Sequence, residues 1–454
     1  MTALVVAGCA GGGNRLAAPL DLAAWTPTAA PVDTSAPTPA PSATDSQFAL
    51  TLAITLRLAG AHNLDVALMR ARAAEAADAA DAADASWLPY LAPRVGFGRH
   101  EGRTQATEGR FLDVDKQSTT AGAAAGVVLD PGEALFASLA AQQRADAASA
   151  RATATEQARL AMAAQGYFEL AAAHAMVALA ADEVRFAAEL ALVVQGRVDV
   201  GATLQADLAR ARARLAEANE ALEARRGEAE IASAALVELL HLQPGVHLIA
   251  DAADAGTRVQ VVDDATPLDA LLTRAFAAHP ELRAAEHEVQ AAAVDADRTG
   301  WGWLVPGLEA SAAWDAFGPD PSEFYDRENY FVGLQWRVGF GLPAQHAAAN
   351  RRVEQSELGR SALRARIAHD VARARVEIQT ANARLAAAKE GVRAADELVA
   401  LVQARHAEGA ALLLEVLEAQ AVQARARATV LRAISAHNVA QYALLAAVGG
   451  AGVR

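Results

Sequence analysis

The chain has 454 residues, 40 basic and 54 acidic, with a net charge of −14 and a single cysteine, Cys9. So acidic a chain lacks the basic face that phosphates need, which argues against nucleic acid as a partner, and one cysteine excludes an intrachain disulfide or a cysteine metal cluster. No apolar run approaches the ~18 residues of a membrane-spanning helix, so a membrane could be crossed only with strands.

Residues 1–46 read as a leader and linker. Prolines at 19, 27, 31, 37, 39 and 41 argue against packed structure there. The apolar run ending in Val6-Ala7-Gly8-Cys9 resembles the lipobox of bacterial lipoproteins, which implies acylation of Cys9; the alternative is a chance cysteine among small residues. No basic segment precedes the run, so the expected start of the reading frame lies upstream.

From Phe48 the order is helix, strand pair and two long helices, and then the same series again. The boundaries drawn are 47–245 for the first copy, 246–266 for a linker and 267–449 for the second copy. The duplication shows in its punctuation. Trp87-Leu88-Pro89 recurs as Trp303-Leu304-Val305-Pro306, and Leu129-Asp130-Pro131 as Gly341-Leu342-Pro343. The segment Gln195 to Ala202 recurs as Gln403 to Ala410.

The hairpins are expected at about 91–130 and 306–342. In the first, Val95 and Phe97 alternate with Arg94, Gly96 and Gly98; a polar loop follows over Thr104 to Ser118, and a weaker strand over Thr120 to Leu129. In the second, Leu308, Ala310, Ala312 and Trp314 alternate with Glu309, Ser311, Ala313 and Asp315. A loop from Gly318 to Glu328 then leads to a strand from Tyr330 to Phe340. That strand has one apolar face, Tyr330, Val332, Leu334, Trp336, Val338 and Phe340. Together with Gln335 and Arg337, Glu309 and Asp315 make a face suited to water, while the apolar face suits lipid. Four strands cannot close a barrel, since about eight is the minimum, so copies from other chains must complete it.

The long helices carry a heptad signal. From Leu204 the seam runs through Leu208, Ala211, Leu215, Ala218 and Leu222, is interrupted at Arg225, and resumes at Ala229, Ala232, Leu236 and Leu239. A matching seam starts at Leu412 and passes through Val416, Ala419, Gln423, Ala426, Val430, Ala433, His437, Ala440 and Leu444. A helix from about Glu133 to Gln195 would be roughly 90 Å long, longer than any compact globular domain needs. The fold expected is therefore mainly α with a small β part: a duplicated long-helix coiled coil with two β-hairpins.

Three features together, the duplicated helix–hairpin–helix plan, the Trp-Leu-Pro lead-in to each strand pair, and the turn Val200-Gly201-Ala202-Thr203 with its counterpart Glu408-Gly409-Ala410-Ala411, carry a resemblance over about residues 48–449. The chain resembles the TolC family of outer-membrane efflux and secretion channels, in particular the lipoprotein members that serve tripartite, RND-type export systems. The resemblance implies a homotrimer in which each chain gives four strands to one barrel in the outer-membrane lipid. It also implies a helical tunnel across the periplasm that narrows at its inner end. Such a channel is a passive duct for substrates handed over by an inner-membrane pump and a periplasmic adaptor, the latter touching the two turns. Here Ala202 stands where the family often has Leu, and Ala411 where Ser or Thr is common.

Acidic residues matching Glu415 and Glu418 ring the periplasmic aperture in that family, and Asp207 is the repeat counterpart of Glu415. The plainer reading is that carboxylates in the first turns of a helix oppose its macrodipole. No catalytic constellation, metal-ligand spacing or cofactor motif is found; His279, Glu286 and His287 read as surface helix. The competing readings are a periplasmic coiled-coil scaffold or adaptor without a channel, and a lipoprotein with an enzymatic helical domain.

Overall fold

The computed structural model describes residues 47–450 apart from His62, Pro321 and Arg337. In chain order the elements are β1 (Gln47–Leu50), α1 (Leu52–Ala61), α2 (Leu64–Asp84), β2 (Tyr90–Gln105), β3 (Phe111–Leu129), α3 (Pro131–Asp199) and α4 (Gln205–Leu239). Then follow β4 (His247–Ala250), α5 (Leu268–Ala278), α6 (Pro280–Trp301), β5 (Gly307–Gly318), β6 (Tyr325–Gln335), α7 (Leu342–Ala407) and α8 (Leu413–Ala447). Among the described residues no helix is long and apolar enough to cross a membrane.

The helix starts follow from local chemistry. Pro131 occupies the first turn of α3, where its missing N–H has no partner to lose, and the Asp130 carboxylate accepts from the Glu133 amide at 3.2 Å. Pro343 plays the same part in α7. At 69 residues α3 is about 100 Å long. The heptad seam of α4 is inward: Leu208, Ala211, Ala218, Leu222, Ala229 and Leu236 are buried against α3. In α8 the buried seam positions include Val416, Ala419, Ala433, His437, Ala440 and Leu444. Arg225, the polar interruption, is satisfied on its own helix by Glu228 at 2.6 Å.

β2, β3, β5 and β6 form one antiparallel sheet in that order. Three sequence-based boundaries are corrected. The expected loop Thr104 to Ser118 is mostly strand, because β2 and β3 stay paired out to Gln105↔Phe111. Only Phe111, Leu112 and Val114 are large apolar residues there, among charged and amide side chains, so the hydrophobic pattern is too short to mark a strand. The expected loop Gly318 to Glu328 shrinks to 319–324, and the last strand runs Tyr325–Gln335 instead of Tyr330 to Phe340. Its first half carries Asp326, Arg327 and Glu328, which hid it. The apolar alternation past Gln335 belongs to a connector where Trp336, Val338 and Phe340 are exposed outside any strand.

Sequence reading missed β1 and β4, which pair in parallel from Gln47↔His247 to Leu50↔Ala250. They cover the principal core, which lies level with the middle of α3 and α7. Tyr167, Leu170, Leu236, Leu248, Ile378 and Leu444 are among its fully buried members. Two polar side chains hold β4: Ser233 Oγ accepts the Leu248 amide at 2.8 Å, and His174 Nδ1 accepts that of Ala250 at 3.3 Å. Burial pushes the His174 imidazole below its usual pKa, which keeps that nitrogen free to accept.

After β4 the chain runs as a strap along α8. Gln441 Oε1 accepts the amides of Val261 and Val262 at 3.0 and 2.8 Å, and Asn438 Oδ1 accepts that of Val259 at 2.8 Å. The Asn438 side chain also donates to the Thr257 carbonyl at 2.9 Å. Asp264 at the strap's end takes hydrogen bonds from Asn382 and Gln441. Toward the α3–α4 turn the core is much thinner: Val194, Leu208, Ala211 and Leu413 are its buried members.

Candidate functional site: a two-faced sheet and a pair of helix turns

Side chains alternate across a sheet, so the register sorts them by face. Leu91, Val95 and Phe97 of β2, Leu308 and Trp314 of β5, and Tyr330, Val332 and Leu334 of β6 share one face. Leu91 is 74 %, Val95 84 % and Val332 77 % exposed, so this apolar face has no cover among the described residues. Glu309, Asp315 and Gln335 fall on the opposite face, with Arg94, Gly122 and Arg327. Arg337, expected on that face too, lies outside the described residues, as does Cys9.

The opposite face carries an ion-paired row. Arg94 is opposite Gly122, Gly122 opposite Asp315 and Asp315 opposite Arg327, so one line crosses all four strands. The Arg327 Nη2 and Nε nitrogens lie 2.8 and 3.0 Å from Asp315 Oδ1, and Arg94 Nη2 lies 3.5 Å from Oδ2. Gly122 is what lets Arg94 reach over a whole strand: a Cβ there would meet the Trp314 carbonyl oxygen at 2.4 Å and Asp315 Cα at 2.6 Å. The Arg327 guanidinium also stacks 4.9 Å from the centre of the Phe317 ring. Sequence reading missed Arg94 and Arg327 as site residues. The alternation with Val95 places Arg94 on the polar face, but its partner is 221 residues away and only the register reveals it.

Beyond Phe97 the apolar face gives way to charge, with Arg99 paired to Asp115 at 3.0 Å and Arg103 to Asp113 at 3.1 Å. On β6 the change comes earlier, at Glu328 opposite Trp314 and Asp326 opposite Ala316, and the β2–β3 hairpin continues past both.

The helical body ends in two turns of identical construction. Gly201 N donates to Val198 O and Ala202 N to Arg197 O; Gly409 N donates to His406 O and Ala410 N to Arg405 O. These are Schellman motifs, which need a left-handed residue, and Gly201 and Gly409 supply φ values of 73° and 77°. Val200, Ala202, Glu408 and Ala410 are exposed on these turns, while Thr203 and Ala411 are half-buried. The turns touch, because Arg197 Nη1 lies 3.4 Å from His406 Nε2. The His406 Nδ1–H in turn donates to the Ala411 carbonyl at 2.9 Å.

Just past the turns stand the three acidic candidates. Asp207 accepts from Thr203 Oγ1 at 2.9 Å and pairs with Arg210 at 3.0 Å. Glu415 accepts the Leu412 amide at 3.2 Å and lies 3.8 Å from Arg405. Glu415 thus caps α8, while Asp207 caps no amide and stands as a first-turn carboxylate that opposes the α4 macrodipole. Glu418 is exposed and has no ion pair among the described residues. Leu208, Leu413 and Leu417 pack in one cluster, which brings the start of α4 and the start of α8 to the same end of the body.

Among the described residues no three His, Cys, Asp or Glu side chains converge as metal ligands would. His287 Nδ1 bonds Gln143 at 2.8 Å, and His279 is half-buried and held below its usual pKa mainly by that burial.

Comparison with known proteins fits this geometry. No curated protein matches the chain. Among solved structures it is similar to the CmeC outer membrane channel of Campylobacter jejuni, with 15 % identity over 88 % of this chain and 86 % of that one and a TM-score of 0.77. It is similar to the outer membrane protein VceC of Vibrio cholerae, with 18 % identity, 88 % and 96 % coverage and a TM-score of 0.74. CusC, described as forming a transmembrane channel, shows 20 % identity, 89 % and 92 % coverage and a TM-score of 0.74. The profile described as Outer membrane efflux protein matches residues 55–240 and 271–450, most of both halves. The chain belongs to the outer membrane efflux protein family.

Proposed function

We propose that three copies of this chain assemble side by side, each giving its four-stranded sheet to one barrel in the outer membrane, above a helical tunnel that crosses the periplasm. The duct is passive: an inner-membrane pump and a periplasmic adaptor deliver the substrate, in a tripartite efflux or type I secretion system, and no bond is made or broken. The observation that carries this reading is the open sheet. β2 and β6 each have one unpaired edge, the face suited to lipid is apolar and bare, and the other face is polar. An open edge and an uncovered apolar face are liabilities in water and are both resolved by closure in lipid. A scaffold or adaptor has no use for such a face. The halves 47–245 and 267–449 act as two copies of one unit, joined by 246–266.

The turns at Val200–Thr203 and Glu408–Ala411 serve as adaptor contacts in this proposal; Val200 and Leu412 beside them are 78 % and 69 % exposed. Acylation of Cys9 would add a lipid anchor. In gel electrophoresis of the outer-membrane fraction the protein should migrate as a trimer before heating and as a monomer after it. A soluble, heat-insensitive monomer would overturn the channel reading.

Asp207, Glu415 and Glu418 are proposed as the aperture ring. Because Glu415 also caps α8, Glu418→Gln is the cleaner probe. It should raise single-channel conductance by about twofold, and more when combined with Glu415→Gln, as the hydrogen bonds and bridging ions that hold the constriction are removed. Unchanged conductance would leave these carboxylates only their helix-end role.

A further inference from the structure

The row Arg94–Gly122–Asp315–Arg327 sets two guanidinium groups against one carboxylate, so each protomer holds one uncompensated positive charge at that level of the polar face. The Asp315 side chain is 1 % exposed, whereas Arg94 and Arg327 remain 62 % and 49 % exposed. The negative charge is covered and the positive charge faces water. Neighbours on this face in the adjoining rows are neutral: Ala92, Ala124, Ala313 and Asn329 on one side, Gly96, Thr120, Phe317 and Tyr325 on the other. The other charged groups of the face, Glu309 and Lys116, lie six residues along their strands in opposite directions, about 20 Å away. His100 follows beyond Gly98 on β2. In a protein of net charge −14 this is a local reversal of sign.

We propose that Arg94 and Arg327 form a cationic collar inside the barrel that binds the anionic groups of passing solutes and opposes cation flow. The proposal rests on the trimeric barrel reading, which brings three such rows into one ring. Arginine suits the task because its guanidinium stays charged at any working pH and is weakly hydrated. Asp315 occupies part of the Arg327 fork and steadies Arg94, leaving the remaining N–H donors for a carboxylate, sulfonate or phosphate group on the solute. The collar belongs to the sheet and the acidic candidates to the turns at the other end of α3, so the two lie far apart along the duct.

The test is the reversal potential of purified protein in planar bilayers under a KCl gradient. Arg94→Gln, which leaves the shorter Asp315–Arg327 pair intact, should raise the potassium-to-chloride permeability ratio by about twofold, and Asp315→Asn should lower it by a similar factor. Opposite signs from two substitutions in one row separate a charge effect from a folding defect. Both shifts should grow as salt falls from about 1 M to 0.1 M, where the screening length lengthens from about 3 to 10 Å. As a check that bypasses folding, Arg94→Cys in the assembled channel should regain wild-type selectivity with a cationic thiol reagent and lose it further with an anionic one. Channels of normal conductance whose selectivity is the same in all variants would overturn the collar alone. A wild-type protein that forms no channel would overturn the barrel reading and the collar with it.

Discussion

Replacing Gln441 with leucine should destabilise the helical body by about 2–5 kcal/mol, although the substitution is close in volume and sits on a helix. Gln441 is fully buried, and its single carbonyl oxygen satisfies the amides of Val261 and Val262. Each of these main-chain donors, once stranded, costs about 1–3 kcal/mol. Thermal unfolding followed by helical circular dichroism, with limited proteolysis of 257–264, checks both parts. The variant should melt earlier and be cut in the strap. Gln441→Glu keeps the two acceptor contacts but sets a carboxylate against Asp264, and should recover stability as acid neutralises that repulsion. An unchanged melting point for Gln441→Leu would mean that the strap adds nothing to the core.

The second large effect is expected at Tyr167. Its ring is fully buried, 5.5 Å edge-to-face from Phe168, which in turn lies 5.9 Å from Tyr442. Tyr167→Ala would open a cavity in the main core and cost about 3–5 kcal/mol. Tyr167→Phe keeps the packing and loses the hydroxyl's hydrogen bonds, its donation to the Asp254 carboxylate, about 1.5–3 kcal/mol for a charged partner, and its acceptance from the Leu52 amide. Burial first, and then the neighbouring Asp254 and Asp251 carboxylates, raise the Tyr167 pKa well above its usual value, which keeps the phenol protonated as a donor. The ordering alanine below phenylalanine below wild type, read as denaturation midpoints, checks the account; equal losses would place the whole effect in the hydrogen bond.

Periodic features were legible in the sequence and paired ones were not. The seams of α4 and α8 repeat every seven residues over the whole helix, so burial at Leu208, Leu222 or Leu444 follows from local pattern. Gly201 and Gly409 were legible because a sharp reversal between long helices needs a left-handed residue. By contrast β1 and β4 are four residues each and 200 apart, too short to show alternation. β6 was placed about five residues late because charge fills its first half and apolar alternation continues past its end. The arginine row depends on register across four strands and has no signature along the chain, whereas the Asp207–Arg210 pair and the Glu415 cap each join residues three apart.

The uneven distribution of core along the helices has a mechanical consequence. Tyr167 lies 32 residues from the end of α3 at Asp199, about 48 Å along the axis. At its level α3 packs on α1, α4, α8, β4 and residues 252–256, whereas near the turns a small apolar cluster joins α3, α4 and α8. A beam held so firmly at its middle and so lightly at its tip behaves as a cantilever. Force applied at the turns bends the free arm, where few contacts resist, and is absorbed at the clamp before it reaches the sheet. In the channel proposed above, this leaves the inner end as the part free to swing while the strands keep their register.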